Sequence, residues 1–219
     1  VIHEEWRTRS NAMLRQYETI LPLLYPGNRY GQRLPIGLME VVDNFPYQAL
    51  RDYYRKWYRP DQQGIVVVGD IDVDAVEAGI KDIFGTIAKP ENPAERVYFD
   101  VEDNKEPIVI LTTDKEQPYS AGMIFCKHDA VPASEKGDMQ YLVYTYARRL
   151  ISMMYAQRLD EIAQQSNPPF IQAGVEESEF FISKTKYALS GEVVFDEASL
   201  GRAVTTLYRE MLRAVRNGF

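Results

Sequence analysis

The spacing of apolar residues predicts a helix at the very start of the chain. Ile2, Trp6, Met13 and Tyr17 recur at helical intervals, which favours a helix over residues 1–19. Neither an initiator methionine nor an apolar leader nor a helix cap precedes this pattern. The first residues are typical of a helix interior, so we expect the chain to be an excerpt from a longer protein.

Two more helices and a strand are predicted in the first part of the chain. A polar stretch punctuated by Gly and Pro over residues 22–37 predicts a long surface loop, and Pro46 marks the start of a helix that runs to about residue 58. The continuous apolar run at 64–69 predicts a buried strand. Asp72 follows it as a suitable N-cap for a helix that carries Val76, Ile80 and Phe84.

The composition of residues 85–96, with two prolines and few apolar residues, is typical of an interdomain linker. We therefore place a domain boundary near residue 90 and expect domains at 1–89 and 90–219. The elements predicted after it are strands at 107–113 and 119–127, a helix at 135–165, strands at 170–175, 180–188 and 189–195, and a helix from residue 196. Neighbouring strands of hairpin type mixed with helices favour the α+β class, with mostly antiparallel sheets packed against helices.

The composition argues against several classes of function and points to none in particular. The chain has 219 residues with 45% hydrophobic and 26% charged residues, which is typical of a globular protein. It has a formal charge of −7 and no block of Lys or Arg, which argues against a nucleic-acid partner. No apolar run approaches the ~18 residues of a membrane span. The single Cys126 lies in an apolar run, so we expect a small buried hydrophobe and no internal disulfide.

Candidate chemistry is sparse. On a helical wheel Glu4 points away from the first apolar stripe, whereas Glu5 lies on its flank. Glu5 is therefore a candidate metal ligand, a buried ion-pair partner or a surface residue. His3 and His128 have no histidine four residues on, and HExxH, HxxEH, GxSxG and phosphate-loop motifs are all absent. These residues alone make no complete active site, and no catalytic or cofactor-binding residue is assigned within the excerpt.

The order of several short segments is more specific than any single residue. In the first part these segments are Val1-Ile2-x-x-Glu5, Tyr30 to Gly37, Phe45 to Tyr58 followed by Arg59-Pro60, and Gly69-Asp70-Ile71. In the second part they are Arg158 to Ile162, Ala173-Gly174 and Arg216 to Phe219. This series resembles the insulinase/pitrilysin family of inverted zinc peptidases, over nearly the whole chain.

The resemblance implies two lobes of the LuxS/metallohydrolase-like type. Residues 1–89 would be the C-terminal portion of the metal-site lobe, and 90–219 a second lobe truncated at its C-terminus. In the family an upstream HxxEH helix supplies two histidine ligands and a glutamate base, and a later glutamate completes the zinc site. Glu5 matches that later glutamate.

The implied function is a zinc metalloendopeptidase that hydrolyses peptides or unfolded segments in a closed chamber. The excerpt would be inactive and would not bind zinc tightly by itself, because the other ligands lie outside it. Its implied partners are a peptide substrate and the second half of the same chain or a homologous subunit. Localisation stays open, a periplasmic or extracytoplasmic compartment being one alternative.

Departures from the family pattern keep other functions open. His3-Glu4 replaces the commoner apolar and variable pair. The Ser-Arg-Leu sequence that the family has where a helix leads into a strand is Ala156-Gln157-Arg158-Leu159 here, and the aromatic residue expected after it appears as Pro168-Pro169-Phe170. The first alternative is a non-catalytic partner or structural subunit of the same fold. The second is a generic α+β binding module. Whether HxxEH lies upstream discriminates among them.

Overall fold

The computed structural model describes all residues, Val1–Phe219, and contains seven α-helices and one three-stranded sheet. The helices are α1 (Ile2–Arg9), α2 (Ala12–Leu24), α3 (Met39–Asn44), α4 (Tyr47–Trp57), α5 (Val73–Phe84), α6 (Met139–Ala163) and α7 (Leu200–Asn217). The strands are β1 (Ser120–Asp129), β2 (Gln172–Glu179) and β3 (Lys186–Phe195). Helices combined with an antiparallel sheet confirm the predicted α+β class. None of the helices is both long enough and apolar enough to cross a bilayer.

Contacts along the chain define two compact units. The first unit joins Val1–Ile36 to Tyr98–Phe219, and the second is Gly37–Val97. The second unit holds α3, α4 and α5, and its buried Arg59 donates to the carbonyl of Ala94 at 2.9 Å. Residues 85–96 form neither helix nor strand and belong to this second unit. The domain boundary near residue 90 stays a prediction.

The sheet of the first unit has the order β1-β3-β2, with both pairs antiparallel. The central strand β3 pairs with β1 through contacts such as Gly191 opposite Ile124, and with β2 through Gly191 opposite Val175. The predicted strands at 64–69 and 107–113 are wrong, because no other segment pairs with them. The prediction at 180–188 is wrong for residues 180–185, which form a turn, and residues 186–188 join the predicted strand 189–195 in a single strand, β3.

Helices α6 and α7 cover one face of the sheet and form the larger core with it. Leu159, Val193 and Leu207 are completely buried there. Helix α7 packs closely on strand β3 at Gly191, which has no side chain. A Cβ atom at this position would lie 2.7 Å from the Met211 sulfur. A larger residue at this position would therefore displace the Met211 side chain and crowd that of Leu207.

A smaller core lies on the opposite face of the sheet, under α2. Leu21 and Tyr25 pack there against Phe180 and Ala188, and Val101 completes the cluster. The Tyr25 hydroxyl donates to the Phe180 carbonyl at 2.5 Å. Burial raises the pKa of Tyr25 to about 12, so its hydroxyl stays protonated and remains a donor. The sheet is thus covered on both faces.

The helix predicted over residues 1–19 is two helices in the structure. The side chain of Asn11 accepts from the amide of Leu14 at 3.0 Å and caps α2, so the chain turns between Arg9 and Ala12. Helix α2 then continues through Pro22 to Leu24, further than the predicted loop allows. Pro22 has no backbone N–H, so the last turn of α2 lacks one of its hydrogen bonds.

Cys126 is exposed, so the prediction that it is a small buried hydrophobe is wrong. It lies on β1, which is an edge strand of the sheet and pairs only with β3. A side chain on an edge strand has a neighbouring strand on one side only, and it is therefore covered less than a side chain on β3.

An ion pair between α2 and residues 114–116 gives a prediction about pH. Arg15 contacts Asp114 at 2.7 Å and Glu116 at 2.7 Å. Hydrogen bonds from the Arg15 side chain and the Glu116 backbone lower the pKa of Asp114 from 3.8 to about 2. Folding lowers the pKa of Asp114. The ion pair with Arg15 therefore stabilises the folded state fully at a pH above the unfolded pKa of 3.8, and this stabilisation is lost as the pH falls through about 2.

We expect the free energies of unfolding of wild type and Asp114→Asn to differ most near neutral pH and to converge as the pH falls from 3.8 to 2. Denaturant titrations over that pH range measure the difference. Glu116→Gln is the matched control, because Glu116 pairs with the same arginine but is 71% exposed. We expect it to change the free energy of unfolding less than Asp114→Asn does. A pH-independent difference for Asp114→Asn would contradict the linkage.

Candidate functional site

Glu5 lies on an exposed part of α1. Its side chain is 46% exposed and pairs with Arg9 at 2.8 Å, one helical turn on. None of the residues of α1 is buried, and Trp6 is still 37% exposed. The apolar stripe predicted on this helix therefore faces no core within the chain. Glu4, the neighbouring carboxylate, makes an equivalent pair with Arg7 at 2.8 Å.

The residues of the chain do not fit a zinc ion by themselves. A catalytic zinc site uses three protein ligands and keeps one position open. The chain contains no group of three His, Cys, Asp or Glu side chains that could hold a metal. The structure does not bring His128 to Glu5, since His128 lies on β1 beside Glu177 of β2, with 3.3 Å between Nε2 and Oε1. Glu5 can supply one ligand only, and its role stays a prediction.

A polar cluster that the sequence did not indicate surrounds Glu177. The Glu177 carboxylate accepts a hydrogen bond from the Tyr144 hydroxyl, and its backbone carbonyl accepts one from Arg148. Burial and the hydrogen bond to Glu177 raise the pKa of Tyr144 to about 12, so the hydroxyl remains a donor at neutral pH. Together with His128, these groups join α6 to the sheet.

The cluster continues onto β3 through Tyr187. The Arg148 guanidinium lies 5.4 Å from the centre of the Tyr144 ring and 5.3 Å from that of Tyr187, within cation–π range. The Lys136 ammonium lies 3.3 Å from the Tyr187 hydroxyl. The Arg148 Nε atom is buried without a hydrogen-bond partner, but the other contacts of the cluster hold the beginning of α6 in place.

Arg158, part of the segments that resemble the family, has a structural contact. Its guanidinium donates to Glu210 of α7 at 3.1 Å, and Arg213 donates to the same carboxylate oxygen at 2.9 Å. Burial alone would raise the pKa of Glu210, but the hydrogen bonds from the two arginines lower it. The ionised carboxylate therefore ties α6 to α7 at the edge of the larger core.

These residues were missed because their partners are distant in the sequence. His128, Glu177 and Tyr187 meet only through the register of three strands, in which His128 stands opposite Tyr187. The pairing of Arg158 with Glu210 likewise joins residues 52 apart. A sequence signal for either cluster would have required the strand register and helix packing in advance.

Comparisons with known proteins give consistent results. A family model described as the Peptidase M16 inactive domain matches residues 44–144. The probable zinc protease PqqL of Escherichia coli (strain K12) is 27% identical over 219 residues, which is 100% of this chain and 23% of that protein. A zinc protease PQQL-like protein of Arabidopsis thaliana is 29% identical over 175 residues, which is 80% of this chain and 18% of that protein.

A solved structure agrees over the same length. The crystal structure of the periplasmic protease PqqL from Escherichia coli matches with a TM-score of 0.81 and 25% identity, and the match covers 100% of this chain and 24% of that one. The chain spans between 18% and 23% of the length of the two curated relatives.

Proposed function

We propose that this chain is part of a zinc metallopeptidase, because it is similar to zinc proteases named PqqL and PQQL-like. The full-length protein would hydrolyse peptide bonds of peptides or unfolded segments in a closed chamber. The observation that carries the proposal is the alignment of all 219 residues with the Escherichia coli protease at 27% identity. The similarity of fold, with a TM-score of 0.81 to a protease of that name, supports it.

Within this proposal Glu5 contributes the third protein ligand of the metal. Its half-exposed carboxylate can be reached by groups from outside the chain, and α1 keeps it on a regular helix. The Arg9 partner neutralises Glu5 in this structure and would have to release the oxygen that binds a metal. A zinc ion held by Glu5 and two ligands from outside the chain would lower the pKa of a coordinated water to about 7 and would polarise a peptide carbonyl.

The second part of the chain would support the chamber without doing chemistry. The family model that covers residues 44–144 describes an inactive domain. The Glu177 and Glu210 clusters bind their own neighbours, and both cores hold the sheet between helices. A rigid wall of this kind can position a substrate and exclude water from a site supplied by other parts of the protein.

The test of this function uses the full-length protein. We expect stoichiometric zinc by metal analysis and hydrolysis of an unfolded polypeptide, measured by mass spectrometry of the products. Chelation should abolish hydrolysis and added zinc should restore it, since the open metal position is where the water binds. A full-length protein that contains neither zinc nor activity would overturn the proposal in favour of a non-catalytic partner or structural subunit.

A further inference from the structure

Helix α6 presents apolar side chains on two opposite faces. One face is buried against the sheet through Tyr155, Leu159 and Ile162. At about 100° per residue, a second apolar set points in the opposite direction over the first four turns. This set, the outer stripe, consists of residues that are each 41% to 71% exposed: Met139, Leu142, Val143, Tyr146, Leu150, Met153 and Met154.

The outer stripe ends abruptly along the helix. Beyond Met154 the same direction is occupied by polar and exposed residues, which are Gln157, Asp160, Glu161 and Gln164. A helix face that meets only water is polar throughout, and a helix that is apolar all round is normally buried. The change from apolar to polar residues therefore limits any partner of this face to the part of the helix up to Met154.

The dimensions of the outer stripe indicate what kind of partner it fits. From Met139 to Met154 the helix rises about 22 Å, and a helix is about 10 Å wide, so the footprint is about 220 Å². Stable association of separate molecules buries about 800 Å² on each partner. A contact of this size is too small for a separate molecule but is sufficient for a helix on the same polypeptide. Such a helix is present at an effective concentration on the order of millimolar.

We propose that the outer stripe is the docking surface for the apolar face of a helix from a part of the full-length polypeptide outside residues 1–219. The matched region is only 23% and 18% of the length of the two curated relatives. Proteins similar to this chain therefore contain further polypeptide that could supply such a helix. Three of the seven stripe residues are methionines, whose flexible side chains adapt to an apolar partner. The inference shares with the proposed function the premise that the chain is part of a longer protein.

Thiol protection in the full-length protein tests the proposal. Leu142→Cys and Tyr146→Cys probe the stripe at two independent positions, in case one variant fails to fold. Leu200→Cys is the matched control, because Leu200 is also a helical leucine and is 51% exposed, against 58% for Leu142. The rate of alkylation at each position is measured by peptide mass spectrometry. We expect both stripe positions to react at least about tenfold more slowly than the control, since they react only after local opening.

Three results would overturn the proposal. Stripe cysteines that react as fast as the control would show that nothing covers the stripe. Protection that disappears on dilution, while sedimentation shows dissociation, would identify a second copy as the occupant. Protection that appears only with phosphatidylcholine vesicles would identify a lipid surface. Neither zinc content nor peptidase activity enters these measurements, so a failure here is distinguishable from a failure of the proposed function.

Discussion

Replacing Glu5 with glutamine in the full-length protein is expected to remove most of the bound zinc and most of the peptidase activity while the fold persists. A neutral amide is a poor substitute for a carboxylate ligand, and a catalytic zinc site has only three protein ligands. Even outer-shell substitutions cost about 10- to 100-fold in metal affinity or activity, so the loss of a ligand should exceed that range. The fold should persist because α1 contributes no buried residue to either core.

Glu4→Gln provides the matched control. Glu4 lies on the same helix and loses an ion pair to Arg7 at 2.8 Å, just as Glu5→Gln loses the pair to Arg9 at 2.8 Å. Zinc content is measured by metal analysis, hydrolysis by product formation, and folding by circular dichroism. Normal zinc and activity in Glu5→Gln, or equal losses in both variants, would show that Glu5 is not a ligand.

Replacing Leu207 with alanine should lower the free energy of unfolding of the chain by about 2–5 kcal/mol. Leu207 is completely buried in the larger core. Its side chain lies close to Gly191, where an added Cβ atom would be 3.1 Å from the Leu207 Cδ2 atom. The alanine variant therefore loses apolar contacts and leaves a cavity between α7 and β3 that the surrounding strands cannot easily close.

Leu200→Ala is the control for the same chemical change on the same helix. Leu200 is 51% exposed, so its truncation should alter stability by no more than about 0.5 kcal/mol. Urea titrations of both variants, followed by circular dichroism, give the two free energies and their m-values. Similar losses in the two variants would mean that helix propensity, and not core packing, determines the effect.

Local signals in the sequence predicted much of the secondary structure. Asp72 caps α5 as expected, because its side chain accepts from the Ala75 amide at 3.0 Å. The long helix expected at 135–165 is α6, which begins after the cap Asp138. Such signals depend on residues within one or two helical turns, where spacing alone brings side chains and backbone groups together. The α+β class and the resemblance to zinc peptidases came from the order of these local segments.

The sequence by itself therefore determined most of the helices, the cap Asp72, the α+β class and one candidate ligand, Glu5. Only the tertiary structure decided that two predicted strands lack partners, that Cys126 is exposed at a sheet edge, and that Glu177 and Glu210 are held by residues from other elements. It also showed that the outer stripe of α6 lies opposite the core. The physical reason is that strand pairing, burial and ion pairing depend on which distant segments meet. A spacing rule describes only neighbours along the chain.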